Sequence, residues 1–183
     1  MAVIRLETER LVLRDIVAGD FAGIHRYASD ERVTRYLRWG PNDEAETRGF
    51  IERTLAEQKL RPRPTYHVVA VAKDDGRIIG GCGLMRRLSP QARACEVGYC
   101  FAVDEWGRGY ATEAVGAMVD FGFRTLGMRR IFALVDPGNH ASARVLAHLG
   151  FEPETDAGRR NRWIVHEPCT NAQAFVLRRP GAS

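Results

Sequence analysis

The chain has 183 residues, of which 45% are apolar and 27% charged, and its formal net charge is +4. These values are typical of a soluble globular protein and argue against a disordered, collagen-like or disulfide-stapled chain. The length suits one domain with a sizeable core, so we expect a single domain over 1–183 with its core at about 6–179. The charge is mild and contains no run of five like charges, which argues against bulk nucleic-acid binding.

No uncharged apolar stretch approaches the roughly 18 residues that a membrane helix needs. The first ten residues also lack the apolar core of a signal peptide, so we expect a cytoplasmic protein with no membrane partner. The four cysteines form no C-x-x-C pair and have no His at zinc-finger spacing. They are therefore expected to be buried thiols, and no metal site is predicted; they are Cys82, Cys95, Cys100 and Cys169.

Hydrophobic periodicity and turn residues predict the order of the elements. The first half should contain, in order, a strand at 3–14, a short helix capped by Asp20, a helical piece around 33–37, a longer helix opened by Asn42 and Asp43 and stopped by the prolines of 61–64, and a hairpin of strands at 66–73 and 77–85. The second half should contain a strand at 94–103, a helix from about 110 to 126, a strand at 130–135, a short helix at 140–149 and weaker strands near 163–166 and 174–178. The strand–helix–strand run in this half is typical of a parallel crossover, so we predict a mixed α/β fold.

The most informative segment, residues 96–114, runs from a strand into a glycine-bearing turn that opens a helix. Gly107 and Gly109 can adopt backbone angles that other residues avoid. Successive N–H groups in such a turn can point at one concave site, with the positive end of the helix dipole behind them. The segment therefore predicts a phosphate or pyrophosphate site, to which Arg108 can add a charge-assisted bond. It lacks the Lys of a P-loop and the third Gly of a dinucleotide loop, and a turn that needs glycine for geometry alone is the alternative.

Four motifs in one order resemble the GNAT N-acetyltransferases, and in particular their ribosomal-protein N-terminal acetyltransferase (RimJ/RimL-like) branch. They are L-E-T-E-R-L-V-L-R at 6–14, E-V-G-Y at 96–99, W-G-R-G-Y-A-T-E-A at 106–114 and N-x-x-S-x-x-x-L-x-x-L-G-F at 139–151. The acyl-donor loop of the family, Q/R-x-x-G-x-G/A, is matched at Gly109 and Ala111, while Trp106 replaces Gln or Arg, a departure common in this branch. The resemblance implies an α+β fold: a single mixed, mostly antiparallel sheet with a splayed central parallel strand pair and helices on both faces.

The same resemblance implies acetyl-CoA as the cosubstrate and assigns the residues that bind it. The pantetheine arm would lie between the splayed strands and pair with the backbone of Phe101, Ala102 and Val103. The backbone amides of the turn would hold the pyrophosphate, and three residues beyond the second strand would contact the rest of the cofactor. These positions are Arg108, Gly109, Tyr110, Ala111 and Thr112 in the turn, and Asn139, Ser142 and Arg144 beyond the strand.

Acetyl transfer by direct attack in a ternary complex needs a neutral amine, a donor for the developing oxyanion and a proton for the leaving thiolate. Many family members place the proton-donating Tyr seven positions after the Asn, where this chain has Leu146. Ser142 is the substitute that the branch suggests, and a helix cap or a buried hydroxyl is the alternative. Glu96 is the best-placed base, acting through water, with an exposed strand residue or a substrate-binding anion as the alternative. Tyr99 is expected to pack or to contact the cofactor.

The chemistry favours the α-amine of a protein or peptide as the acceptor, because its pKa of about 7.7–8.0 leaves it nearly half neutral at pH 7.5. A Lys side chain, with a pKa near 10.4, would need about 4 kcal/mol for deprotonation. A basic loop near 159–162 should border the acceptor mouth and repel polycations. The alternatives are acetylation of a small-molecule amine such as an antibiotic, or a coenzyme A-binding module without catalysis. A monomer or a homodimer is expected.

Overall fold

Eight strands form one mixed sheet in the computed structural model, which describes residues 3–86, 93–154 and 172–179. The strands are β1 (Arg5–Glu7), β2 (Leu11–Asp15), β3 (Thr65–Ala72), β4 (Ile78–Met85), β5 (Ala94–Phe101), β6 (Arg130–Val135), β7 (Glu152–Pro153) and β8 (Gln173–Arg178). Their order across the sheet is β1-β2-β3-β4-β5-β6-β8-β7, and every neighbouring pair is antiparallel except β5 and β6. The predicted sheet with its central parallel pair is confirmed.

Helices cover both faces of this sheet, as predicted. They are α1 (Phe21–Ala28), α2 (Glu31–Thr34), α3 (Glu44–Lys59), α4 (Tyr110–Arg124) and α5 (His140–His148). Helices α1 and α3 bury Ile24 and Ile51 in one apolar cluster with Val69. Helix α4 buries Met118 in a second, larger cluster with Val68. Because Val68 and Val69 are adjacent on β3, their side chains point to opposite faces, and so the two clusters lie on opposite sides of the sheet. In the described part, no helix is both long and apolar enough to span a membrane.

Two expectations for the first twenty residues are wrong. The strand expected at 3–14 is a hairpin of β1 and β2, in which the Thr8 N–H donates to the Leu11 carbonyl at 3.0 Å. No glycine or proline marks this turn, and the alternation of apolar and polar residues runs through it, so the sequence predicts one continuous strand. Asp20 precedes α1, but its carboxylate does not cap that helix. It accepts from the Arg14 guanidinium at 2.7 Å and from the Val17 N–H at 2.9 Å instead.

Other differences concern element ends. Helix α2 ends before Tyr36 and Leu37, and β5 ends at Phe101 because Val103–Glu105 forms a 3-10 turn. The two-residue strand β7 was not expected. The strand expected near 163–166, the basic loop at 159–162 and Cys169 lie outside the described residues.

Strands β5 and β6 pair at only three positions, from Ala94 opposite Arg130 to Glu96 opposite Phe132, and then separate. The Ala102 N–H donates to the Ile79 carbonyl at the β4 side. Because successive N–H groups of a strand point to opposite edges, those of Tyr99 and Phe101 point towards β6. The predicted splay is confirmed, and it leaves backbone groups of β5 facing a gap.

Candidate active site

A continuous cleft with a volume of about 1650 Å³ passes through the gap between β5 and β6. This volume exceeds the roughly 300–1,000 Å³ of a pocket for one drug-sized ligand. Most of the residues predicted for the site line the cleft: Glu96, Phe101, Gly109, Tyr110, Ala111, Thr112, Asn139, Ser142 and Arg144. Three predicted residues are not among the described residues that line the cleft: Ala102, Val103 and Arg108. The fold thus gathers both strands, the glycine turn and α5 around one space.

The glycine turn at the start of α4 has the backbone that an anion site requires. Gly107 and Gly109 have φ angles of +74° and +79°, in the left-handed region that favours glycine. Gly109 is the N-cap of α4 and has no side chain with which to cap it. The first N–H groups of the helix, on Tyr110, Ala111 and Thr112, are therefore left for an anion, and the helix dipole favours one there.

The side chains beside the turn are engaged within the protein. The Arg108 guanidinium donates to Glu105 at 2.7 Å, and Glu105 is buried with 4% exposure. The charge of Arg108 is thus shared with a buried carboxylate. The Trp106 indole N–H donates to the Phe101 carbonyl at 2.8 Å and ties the turn to the end of β5. This bond occupies one backbone acceptor that we expected the pantetheine arm to use.

The β1–β2 hairpin clamps the same turn from the other side through Glu113, in the first turn of α4. The Glu113 carboxylate accepts from the Thr8 hydroxyl at 2.6 Å and from the Arg10 backbone and side chain at 2.7 Å each. Arg10 also donates to the Arg108 carbonyl at 2.8 Å and lies over the Tyr110 ring. Burial opposes ionisation of Glu113, but these hydrogen bonds outweigh it and lower the pKa of that carboxyl. The motifs at 6–14 and 106–114 are visible in the sequence, but the contact between them is not.

Two hydroxyl groups meet where α5 faces β5. The Asn139 side chain caps α5 by accepting from the Ser142 N–H at 3.1 Å. The Ser142 Oγ lies 2.7 Å from the Tyr99 Oη, and the Tyr99 hydroxyl is 3.1 Å from the Ser142 carbonyl oxygen. Burial raises the pKa of Tyr99 to about 12, although the bond with Ser142 opposes that rise. The Ser142 side chain therefore does not cap α5, and its hydroxyl is half-buried and in contact with that of Tyr99.

Glu96 approaches the gap from the opposite face of the sheet. Glu96 and Cys100 are four residues apart on β5, so their side chains lie on the same face of the sheet. Cys100 packs against the α1–α3 cluster, whereas Tyr99 packs against the α4 cluster on the other face. Glu96 is buried, with 4% exposure, and accepts from the Arg38 guanidinium at 2.6 Å. Arg38 and the adjacent Trp39, in the α2–α3 loop, also line the cleft. Sequence reasoning missed both; the concentration of arginine and aromatic residues at 35–39 was the available signal.

Cys82 and Cys95 are buried as expected, whereas Cys100 is only half-buried. Desolvation raises the pKa of Cys95 and of Cys100 to about 12 and that of Cys82 further, which makes these thiols poor nucleophiles. Within residues 3–86, 93–154 and 172–179, no group of three or more His, Cys, Asp or Glu side chains is placed to hold a metal ion.

Comparison with known proteins agrees with this geometry. The model of the GNAT acetyltransferase domain matches residues 10–152. An uncharacterised N-acetyltransferase, p20 of Bacillus licheniformis, is 35% identical over 150 residues, which cover 81% of this chain and 83% of that protein. The ribosomal protein uS5 alanine N-acetyltransferase of Escherichia coli K12 is 29% identical over 156 residues, covering 82% of this chain and 79% of that protein. The structure of Mycobacterium smegmatis RimJ in complex with CoA-disulfide shares the fold, with a TM-score of 0.74 at 22% identity over 96% of this chain and 86% of that one. The chain therefore belongs to the GNAT family, has relatives among the ribosomal-protein alanine acetyltransferases, and is an N-acetyltransferase.

Proposed function

We propose that this chain transfers the acetyl group of acetyl-CoA to a primary amine, and that its acceptor is the α-amine of a protein or peptide. The observation that carries the proposal is the cleft through the β5–β6 gap. The glycine turn, Tyr99 and Ser142 border it on one side of the sheet, and Glu96 borders it on the other. Two substrates that enter from opposite faces would meet in the gap.

The cofactor supplies an activated acetyl thioester, and the residues present suit its binding. The N–H groups of Tyr110, Ala111 and Thr112 are free of a side-chain cap and would hold the pyrophosphate. The β5 backbone groups that face the gap would pair with the amide-bearing arm, because buried N–H and C=O groups need partners. Arg144 is exposed, lines the cleft and has no ion pair among the described residues, so it would bind the 3′-phosphate.

The chain's own groups can also stabilise charge. The Phe101 N–H points into the gap and would donate to the acyl oxygen as negative charge develops on it. The hydroxyl of Ser142 lines the cofactor side and would donate to the leaving sulfur. Glu96 would hold the incoming amine or, through water, remove its proton.

The state of Glu96 favours an α-amine as the acceptor. Its carboxylate already accepts a charge-assisted bond from Arg38, so it is not an unengaged base. An amine that is already partly neutral needs the least deprotonation by this carboxylate. At pH 7.5 the α-amine meets this condition, whereas a Lys amine lies about 4 kcal/mol from its neutral form.

A thiol-release assay with acetyl-CoA tests the proposal. The panel pairs each peptide that has a free α-amine with the same peptide blocked at its N-terminus but carrying Lys, and adds polyamines and aminoglycosides. We expect release with the free peptides and little with their blocked partners. Turnover of a polyamine or antibiotic amine alone would replace the proposed acceptor with a small molecule. No release with any amine, despite cofactor binding, would overturn the proposal.

A further inference from the structure

Tyr99 brings a half-buried phenol hydroxyl to the cleft of a chain that lacks this family's usual phenol. Leu146 occupies the position at which many members carry Tyr, and it is fully buried in the core. Tyr99 brings a phenol to the same side of the cleft from β5, with its Oη 2.7 Å from Ser142 Oγ. Tyr99 and Ser142 both line the cleft. The pair joins a strand residue to a helix residue 43 positions later.

The distances favour one way of sharing the two hydroxyl hydrogens. The Oη–Oγ separation of 2.7 Å lies at the usual O–H···O distance, whereas 3.1 Å to the Ser142 carbonyl is longer than that range. The phenol is the more acidic of the two hydroxyls and hence the better donor. When Tyr99 donates to Ser142 Oγ, the hydrogen of Ser142 is released from Tyr99 and can point into the cleft.

We propose that Tyr99 is a positioning residue for acetyl transfer: it donates its hydrogen to Ser142 Oγ and thereby directs the Ser142 hydroxyl hydrogen towards the leaving sulfur. This inference rests on the proposed function. Tyr99 stays in its neutral, donating form because its burial raises its pKa to about 12, far above the pH of an assay. The bond to the sulfur stabilises it as an anion and requires no net proton transfer, since an ordinary thiol has a pKa of about 8.5 and is readily released as thiolate.

The kinetic test compares Tyr99→Phe with Ser142→Ala and with the double variant. Tyr99→Phe keeps the ring and removes only the hydroxyl, so we expect kcat to fall about tenfold with little change in the affinity for acetyl-CoA. The double variant should be no slower than Ser142→Ala, because Tyr99 acts through Ser142. The control is Tyr66→Phe, which removes a hydroxyl from a buried tyrosine of the sheet, outside the cleft lining, and should leave kcat unchanged.

A second readout does not depend on turnover. With tyrosine labelled by 13C at ring Cζ, the Tyr99 resonance is identified by its loss in Tyr99→Phe. Addition of coenzyme A should shift this resonance in the wild type, because the Ser142 hydrogen gains an acceptor, and should shift it much less in Ser142→Ala. Full kcat in Tyr99→Phe, or equal shifts in both backgrounds, would overturn the positioning role. Absence of acetyl transfer in the wild type would instead contradict the proposed function. The resonance shifts would still test whether Tyr99 responds to coenzyme A through Ser142.

Discussion

At the scale of single residues, the backbone conformation of Gly109 is what calls for glycine at the start of α4. Its φ of +79° is costly for L side chains, whereas a Cβ there would make only an ordinary contact, 3.4 Å from the Arg10 guanidinium. The turn thus requires the glycine, and the anion that we propose would bind beside it, at the N–H groups that begin α4.

Gly109→Asp should therefore abolish binding of acetyl-CoA, because it adds a carboxylate where the pyrophosphate would lie. We expect the affinity measured by calorimetry to fall more than a hundredfold, about 2.7 kcal/mol. Gly76→Asp is the matched control, since Gly76 has a φ of +72° in the β3–β4 turn, with open space around it and away from the cleft. That control should lose stability but not affinity. Binding by Gly109→Asp within tenfold of the wild type would show that the turn does not hold the cofactor.

Glu96 allows a test of the base and of the acceptor together. If the acceptor is an α-amine and Glu96 only assists, log kcat/KM should rise with pH and level off near 8, the pKa of the amine. Glu96→Gln should lower the rate about 10- to 100-fold and keep this profile. Glu44→Gln, which alters an exposed ion pair with Arg48, serves as the control and should have no effect. A profile that still rises above pH 9.5 would point to a Lys side chain as the acceptor.

At the scale of elements, the β1–β2 hairpin explains why the first and third motifs occur together. Thr8 and Arg10 bind Glu113 and the carbonyl of Arg108, so the hairpin sets the position of the glycine turn. The ends of α4 and β6 could be predicted because glycines and apolar periodicity mark them. The hairpin turn could not, since Thr8, Glu9 and Arg10 carry no turn signal. Neither the clamp nor the Tyr99–Ser142 pair could be predicted, because each joins residues that are distant in the chain.

Arg10→Ala should weaken cofactor binding without removing any group that touches the cofactor. The loss of its bonds to Glu113 and to Arg108 loosens the turn, and we expect about a five- to tenfold increase in the Kd for acetyl-CoA. Arg5→Ala, on the same hairpin, is the control because its pair with Glu7 is exposed and remote from the turn. Equal affinities for the two variants would mean that the turn holds its shape without the hairpin.

At the scale of the whole molecule, the same clamp makes stability depend on pH. The pKa of Glu113 is lowered in the folded protein, so its contribution is fully present above its ordinary value of 4.5 and is lost as the pH falls through the folded value. The difference in unfolding free energy between the wild type and Glu113→Gln should therefore be constant from pH 6 to 8 and shrink below about pH 4.5. Denaturant titrations at several pH values measure it. A difference that grew towards acid pH would contradict the clamp.

Among the described residues, the two halves of the sheet are paired only at the N-terminal ends of β5 and β6, and hydrogen exchange can detect the gap beyond that pairing. In the free protein, the Ala102 amide is bonded to Ile79 and should exchange slowly, as should that of Cys100, which faces the same edge. The amides of Tyr99 and Phe101 face the gap and should exchange faster.

Acetyl-CoA at a saturating concentration should slow the exchange of these two amides, because it would pair with them, and should leave the exchange rates of the Cys100 and Ala102 amides unchanged. At a hundredfold excess over its Kd it should also stabilise the protein by about 2.7 kcal/mol. Uniform slowing along β5, without the alternation, would show that the cofactor stabilises the fold from elsewhere and does not bridge the gap.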